Sequence, residues 1–349
     1  YNLIQGAFMA KFSEKLPNIF PLTRMRRNRI KVFSRKIVAE NYLNVENLIQ
    51  PLFVTEGKYE NTSIESMPGI KRHSVDSIVN EAKEIESLGI PAIAIFPHIN
   101  DDLKDAIGSE ALNENNIICT TIKEIKKECP NLGLICDVAL DPYTDHGHDG
   151  IIYNDEVNND ETIKILCKQA LIQAKAGCDI VAPSDMMDGR VKEIRTSLDN
   201  HDFINTIILA YSSKFASSFY GPFRSAVGSK IDQNKISKRS YQMSPSNSRE
   251  AMREIELDIN EGADIIMIKP AISYLDIIKS AYESYHVPIF AYLVSGEYSM
   301  IKAAANNNWV IEKDAVYESL ISIKRAGATS ILTYFAKSVA KNLKEDLYN

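Results

Sequence analysis

Four times along the chain a helical stretch runs into a glycine and then directly into an apolar, β-branched run: SLGIPAIAIFP, KAGCDIVAPSD, NEGADIIMIKP and KRAGATSILTYF. Gly89, Gly177, Gly262 and Gly327 close these helices, a place where a positive φ is cheap for glycine and costly for other residues. Strands are predicted at Leu48–Thr55, Ala92–Pro97, Gly133–Leu140, Ile180–Asp185, Ile207–Ser213, Ile265–Pro270, Ile289–Ser295 and Ser330–Ala336. Each is almost continuously apolar, as a strand covered on both faces of a parallel sheet must be. Amphipathic segments such as Val75–Leu88, Glu161–Ala176, Ser246–Glu261 and Asp314–Ala326 lie between them. A helix–Gly–strand unit repeated through 349 residues predicts an α/β (β/α)8 TIM barrel. A doubly wound open sheet is the alternative, but no GxGxxG loop follows the first strand.

Ahead of the barrel the chain is basic. Lys11, Lys15, Arg24, Arg26, Arg27, Arg29, Lys31, Arg35 and Lys36 are set against Glu14 alone. Three readings fit: a solvated arm, the remnant of an Arg-rich targeting segment, or an extended arm that wraps a neighbouring subunit. The expected division is residues 1–40 as an N-terminal arm for subunit contacts and 41–349 as the catalytic barrel. The chain begins with Tyr, which reads as a fragment or processed form. The net charge of −6 argues against a nucleic-acid partner, and no apolar run is long enough for a membrane span. Cys119, Cys129, Cys136, Cys167 and Cys178 form no CxxC pair, so neither a disulfide framework nor a structural zinc cluster is expected.

Barrel enzymes carry their chemistry at the C-terminal strand ends. Two lysines stand there, Lys214 in SSKFASSFYGPFR and Lys269 in MIKPAISYLD. An ammonium ion loses hydration when buried, so burial lowers its pKa and a second cation lowers it further. The neutral amine that results can attack a carbonyl. One such lysine is equally well read as paired with an acid such as Asp185. Two on adjacent strands favour a Schiff-base site, with both amines kept uncharged.

The segments around these lysines resemble the porphobilinogen synthase (5-aminolevulinate dehydratase) family. VAPSDMMDGRV, YQMSPSN, VSGEY and ILTYFAK resemble further family segments in the same order, from about Pro21 to the C-terminus. The resemblance implies a TIM barrel with an N-terminal arm embracing a neighbour, commonly in a homo-octamer. It implies condensation of two 5-aminolevulinate molecules to porphobilinogen with loss of two waters, in tetrapyrrole (heme) biosynthesis. Lys269 would form the imine with the first-bound substrate in the P site, and Lys214 the imine in the A site. Ser295 and Tyr334 match the hydroxyls for the P-site carboxylate. Arg224 and Lys238 match the cations for the A-site carboxylate, with Gln242 assisting. Ser184 and Asp185 are further candidate substrate contacts. The polar run Gly228–Ser240 reads as a lid over the A site, with a plain surface loop as the alternative.

The stretch DVALDPYTDHGHDG, residues 137–150, concentrates carboxylate and imidazole. Zinc-using members of the family carry cysteines where this chain has Ala139, Asp141 and Asp149, and Cys136 lies outside those positions. Carboxylates suit Mg2+ rather than Zn2+, so no active-site zinc is expected and the resemblance is to the magnesium-responsive branch. Asp137 and Asp141 are the candidate acid–base residues, and Asp149 a candidate for a water-held or metal-held role. Pro142, Gly147 and Gly150 exclude a continuous helix, so the four-residue spacing of the aspartates carries little meaning. Asp145, His146 and His148 read as loop residues rather than ligands. Glu254, in NSREAMREIELD, matches an allosteric Mg2+ ligand of the family. The magnesium-type pattern and the basic N-terminal region point to a plastid, with cytoplasm as the alternative. A Schiff-base aldolase would need one of the two lysines, and an oligomeric scaffold neither.

Overall fold

The structure is a computed structural model that describes residues 20–229 and 236–345. Lys11, Glu14 and Lys15 of the predicted arm, and residues 230–235 of the predicted lid, lie outside the described residues. The described chain divides into two units, one ending at Tyr42 and one beginning at Leu43. In the first, a 3-10 turn at Met25–Asn28 leads to a short helix at Val32–Ile37. Arg24 lies over the Phe20 ring at 4.5 Å, and Arg27 donates to the Leu22 carbonyl at 2.8 Å. Arg35 and Lys36 occupy the last turn of that helix, where cations offset the exposed carbonyl dipoles.

In the second unit the barrel strands are β1 Leu48–Thr55, β2 Ala92–His98, β3 Gly133–Val138, β4 Ile180–Pro183, β5 Ile207–Lys214, β6 Ile265–Lys269, β7 Ile289–Leu293 and β8 Ser330–Thr333. Each pairs in parallel with the next. The ring is closed by β1 against β8 through Leu48↔Ile331 and Ile49↔Leu332. That closure decides for the barrel over the open sheet. Helices α1 Val75–Ser87, α2 Ile117–Glu128, α3 Asn159–Ala176, α4 Arg190–Asn200, α5 Gly221–Val227, α6 Ser248–Asn260, α7 Leu275–Ser284, α8 Ser295–Asn306, α9 Glu312–Ala326 and α10 Ala336–Lys344 follow in order. Of these, α5 and α8 are extra, inserted between a strand end and the next barrel helix. No helix among the described residues is long and apolar enough to cross a membrane.

The local signals work as the sequence implies. Helix α3 starts where the Asn158 side chain accepts the Glu161 N–H, and ends at Gly177 with φ of 107°. Gly327 is doubly constrained: its φ is 121°, and a Cβ there would lie 2.4 Å from the Tyr282 ring. The apolar faces of the helices meet the strands through fully buried Ile122, Leu166, Ile255, Ile278 and Leu320. Each such side chain stabilises the fold by about 1.5–3 kcal/mol relative to exposure. Five of the eight predicted strands overran at their C-terminal ends, Leu48–Thr55 ended as predicted, and Ala92–Pro97 and Ile207–Ser213 each fell one residue short. Ser330–Ala336 stops at Thr333, because Thr333 Oγ1 accepts the Phe335 N–H and Ala336 already begins α10. The chain turns there, at the mouth of the barrel.

Candidate active site

Lys214 ends β5 and Lys269 ends β6, and the two are register partners across the parallel pair. Parallel neighbours in register send side chains the same way, so both ammonium groups enter one space at the C-terminal mouth. Both residues are buried. Their surroundings differ. Four rings enclose Lys269 Nζ, those of Tyr292 at 4.8 Å, Tyr220 at 5.0 Å, Phe223 at 5.1 Å and Tyr211 at 5.2 Å. No carboxylate among the described residues lies within ion-pair distance of it. Burial, and then the neighbouring Lys214 charge, bring its pKa down to about 7.

Lys214 instead has an acid partner. Its Nζ lies 3.1 Å from Asp149 Oδ1 and also donates to the Ser184 carbonyl. The expectation of two unpaired amines therefore needs correcting, and the partner is Asp149, not Asp185. Asp185 faces the other way, with Oδ2 3.5 Å from Arg190 Nε and Oδ1 accepting the Met187 N–H at 2.7 Å. Burial lifts its pKa to about 6 against the pull of Arg190. Arg190 continues to Asp258 on α6, at 3.0 and 3.2 Å, so an ion network runs beneath the site.

Asp149 is the hub of the acidic loop. Oδ1 meets Lys214, while Oδ2 meets Lys238 Nζ at 2.9 Å and accepts the Tyr241 hydroxyl at 2.8 Å. Burial by itself would raise its pKa, but Lys214, Lys238 and Tyr241 outweigh that and hold the carboxylate well below its usual range. Sequence reasoning offered Asp149 as a metal or water contact. Its oxygens are instead occupied by two ammonium groups and a hydroxyl, a setting that repels a cation. Among the described residues no three His, Cys, Asp or Glu side chains converge as a metal ligand set.

Asp141 lies 3.4 Å from Lys238 Nζ. Burial would lower the Lys238 pKa, yet Asp141 and Asp149 together raise it. Asp137, on β3, has one oxygen buried without a hydrogen-bond partner. Burial and the Asp141 charge push its pKa up to about 7, opposed by Lys214, Lys269 and a hydrogen bond from Ser184. Asp137 and Lys269 thus both titrate near neutrality, within electrostatic reach of each other.

The predicted carboxylate receptors gather in two places. Arg224 on α5, Lys238 and Gln242 line one cavity of about 450 Å3, and Gln242 Oε1 is buried without a partner. Tyr334 shares a 2.9 Å hydrogen bond with Tyr292, whose ring faces Lys269. Ser295 Oγ accepts the Phe223 N–H at 3.0 Å, which also brings it to the Lys269 side. Glu254 sits half-buried on α6. Burial raises its pKa against the opposing pull of Arg190, and Asp258, Asp188 and Glu250 raise it further.

Sequence reasoning missed the aromatic wall around Lys269 and the role of Tyr241. Tyr220 and Phe223 were visible only as the aromatic spacing of SFYGPF. His148 is explained through Tyr241: its Nδ1 lies 3.0 Å from that hydroxyl, and burial and the Lys238 charge lower its pKa to about 4. His146 accepts the His148 N–H and contacts the Ala106 carbonyl, as a loop residue would. Cys136 is buried beside Cys178, in the layer between strands and helices, and burial raises its thiol pKa. It takes no part in the mouth.

The family model described as delta-aminolevulinic acid dehydratase matches residues 22–342. The delta-aminolevulinic acid dehydratase of Bradyrhizobium diazoefficiens is 51% identical over 321 residues, covering 92% of this chain and 91% of its own. A chloroplastic relative from Selaginella martensii is 46% identical, covering 95% of this chain and 80% of its own. Among solved structures, the delta-aminolevulinic acid dehydratase (porphobilinogen synthase) of Toxoplasma gondii, in complex with the product porphobilinogen, superposes with a TM-score of 0.91. It is 47% identical and covers 93% of this chain and 92% of its own.

Proposed function

The chain belongs to the delta-aminolevulinic acid dehydratase family, and from that premise we propose how its barrel mouth divides the work of the family reaction. It is a lyase that condenses two 5-aminolevulinate molecules to porphobilinogen, releasing two waters, in tetrapyrrole synthesis. The single observation that carries the assignment of roles is the register pairing of Lys214 with Lys269, both buried at the adjacent C-terminal ends of β5 and β6.

Lys269 takes the first substrate. Its pKa of about 7 leaves a free amine at neutral pH. That amine adds to the ketone carbon, and loss of water gives the imine. Protonated, the imine withdraws electrons and acidifies the adjacent C–H. Lys214 forms the second imine. Its Nζ is held by Asp149 Oδ1 at 3.1 Å, and Asp149, kept strongly acidic, is a poor acceptor for any proton released there. Asp137 is the better shuttle, because a general acid–base works best with a pKa near the working pH. Asp141, beside Lys238, serves the second substrate's amine. Arg224, Lys238 and Gln242 receive the A-site carboxylate, where Arg supplies a bidentate clamp and Lys a point charge. Ser295 and Tyr334 receive the P-site carboxylate. Holding both substrates in one cavity makes bond formation intramolecular.

Mg2+ acts away from the mouth. What supports Glu254 as its outer holder is the donor chemistry: a hard carboxylate whose pKa burial raises, with the like charges of Asp258, Asp188 and Glu250 adding to it. Bound there, the ion would neutralise that repulsion and steady α6, whose Asp258 holds Arg190. The basic N-terminal segment is an arm for subunit contacts in a homo-octamer, and its Arg-rich, acid-poor composition together with the chloroplastic relative supports a plastid location. The test of the chemistry is reduction with borohydride in the presence of 5-aminolevulinate, followed by mapping of the adducts. Adducts at both lysines are expected. An adduct at one alone fits an aldolase, and none would end the reading.

A further inference from the structure

Glu297 is fully buried in the first turn of α8. Its Oε2 accepts the Val294 N–H at 2.8 Å, as an N-terminal capping glutamate does. Its Oε1 accepts the Ile272 N–H at 2.7 Å, and Ile272 belongs to a different strand-end loop, three residues beyond Lys269. No cation among the described residues pairs with this carboxylate; the titratable groups that face it are Tyr220 and Tyr274. Burying a carboxylate without a cation is costly, and capping one helix does not require it.

The same turn grips a third loop. A Cβ on Gly296 would stand 2.5 Å from the Phe219 carbonyl, and Ser295 Oγ accepts the Phe223 N–H and donates to the Phe219 carbonyl. Tyr220 and Phe223, from that loop, form part of the wall around Lys269, and the Tyr220 hydroxyl donates to the Lys269 carbonyl at 3.0 Å. Ser295, Gly296 and Glu297 therefore draw together the ends of β5, β6 and β7.

We propose that Glu297 is a positioning residue for the reaction: its one carboxylate ties the loop after Lys269 to the turn that carries Ser295, and so sets the amine against the ketone of the substrate held there. The inference rests on the reading of Lys269 and Ser295 as the P-site pair. Imine formation needs a near-attack geometry, and a displacement of about 1 Å can cost about 100-fold in rate.

Glu297→Gln is the direct test, since it keeps shape and volume but presents an NH2 to one of the two N–H donors and releases one loop. The variant is expected to melt within a few degrees of the native enzyme. Its borohydride-trapped adduct at Lys269 should fall about tenfold relative to that at Lys214, with kcat reduced by up to about 100-fold. A purely structural role would not change the ratio of the two adducts. An unchanged ratio with kcat within about twofold of native overturns the inference. If the variant does not fold, hydrogen exchange of the native enzyme decides. Joint protection of the Ile272 and Val294 amides supports the tie, and free-loop exchange at Ile272 overturns it. A native enzyme with no adduct at Lys269 overturns the P-site reading itself, and this inference with it.

Discussion

Lys214 and Lys269 stand in register on adjacent strands, yet only Lys214 has a carboxylate partner, Asp149 at 3.1 Å. Lys269 is ringed by aromatic faces and carries the lower affinity for a proton that burial and a neighbouring cation impose. The asymmetry gives two chemically identical side chains different tasks, one free to attack at once and one held by a carboxylate.

Trapping at Lys269 should follow this. Its amine is protonated below about pH 7 and free above, so adduct formation rises with pH through that value and then levels off. Lys214→Met removes one of the charges that depress the Lys269 pKa, so the midpoint should move to higher pH. A midpoint that stayed put, or fell, would show that the two lysines do not sense each other.

Asp149→Asn leaves Lys214 and Lys238 buried without their shared counter-charge. Breaking a buried pair in this way costs about 3–5 kcal/mol, to be read from denaturant unfolding near neutral pH. The Asp149 carboxylate titrates below its ordinary value of 3.8 in the folded state. Its contribution is therefore present above about pH 4 and disappears as pH falls further. The loss on substitution should shrink in acid. An equal loss at both pH values would contradict the ionised bridge.

Tyr241→Phe removes a hydroxyl that donates to Asp149 Oδ2 and sits beside His148 Nδ1. A hydrogen bond to a charged group is worth about 1.5–3 kcal/mol. The fold should survive, with slower porphobilinogen formation as Asp149 loosens its hold on the lysines. Unchanged stability and rate would mean that the acidic loop does not depend on this contact.

Arg190→Ala strands Asp185 and Asp258 as uncompensated buried carboxylates, at a cost of about 3–5 kcal/mol. Arg190→Lys should recover only part of it, since a single ammonium cannot reproduce the fork that reaches both Asp258 oxygens. Full recovery by lysine would reduce the network to a simple matter of net charge.

Treatment with EDTA and then Mg2+ should raise porphobilinogen formation from a chelated baseline, and Glu254→Ala should abolish that increment. Recovery with Zn2+ alone would overturn the magnesium reading and turn attention back to residues 137–150.

The sequence by itself determined the barrel, because a parallel strand covered on both faces has to be apolar along its length, and because four helices close on a glycine at positive φ, Gly89, Gly177, Gly262 and Gly327, just before a strand. Those are local demands, written in LGIPAIAIFP or EGADIIMIKP. Lysines at the ends of two such runs were equally legible, since an ammonium group is out of place there. What only the tertiary structure decided was which acid meets which base. Asp149 and Lys214 are 65 residues apart in the chain, as Glu297 and Ile272 are 25 apart, and no spacing rule connects them. Closure of the ring brings their loops to one rim. There, distance and burial set the charge state of each group, and neither quantity exists before the chain has folded.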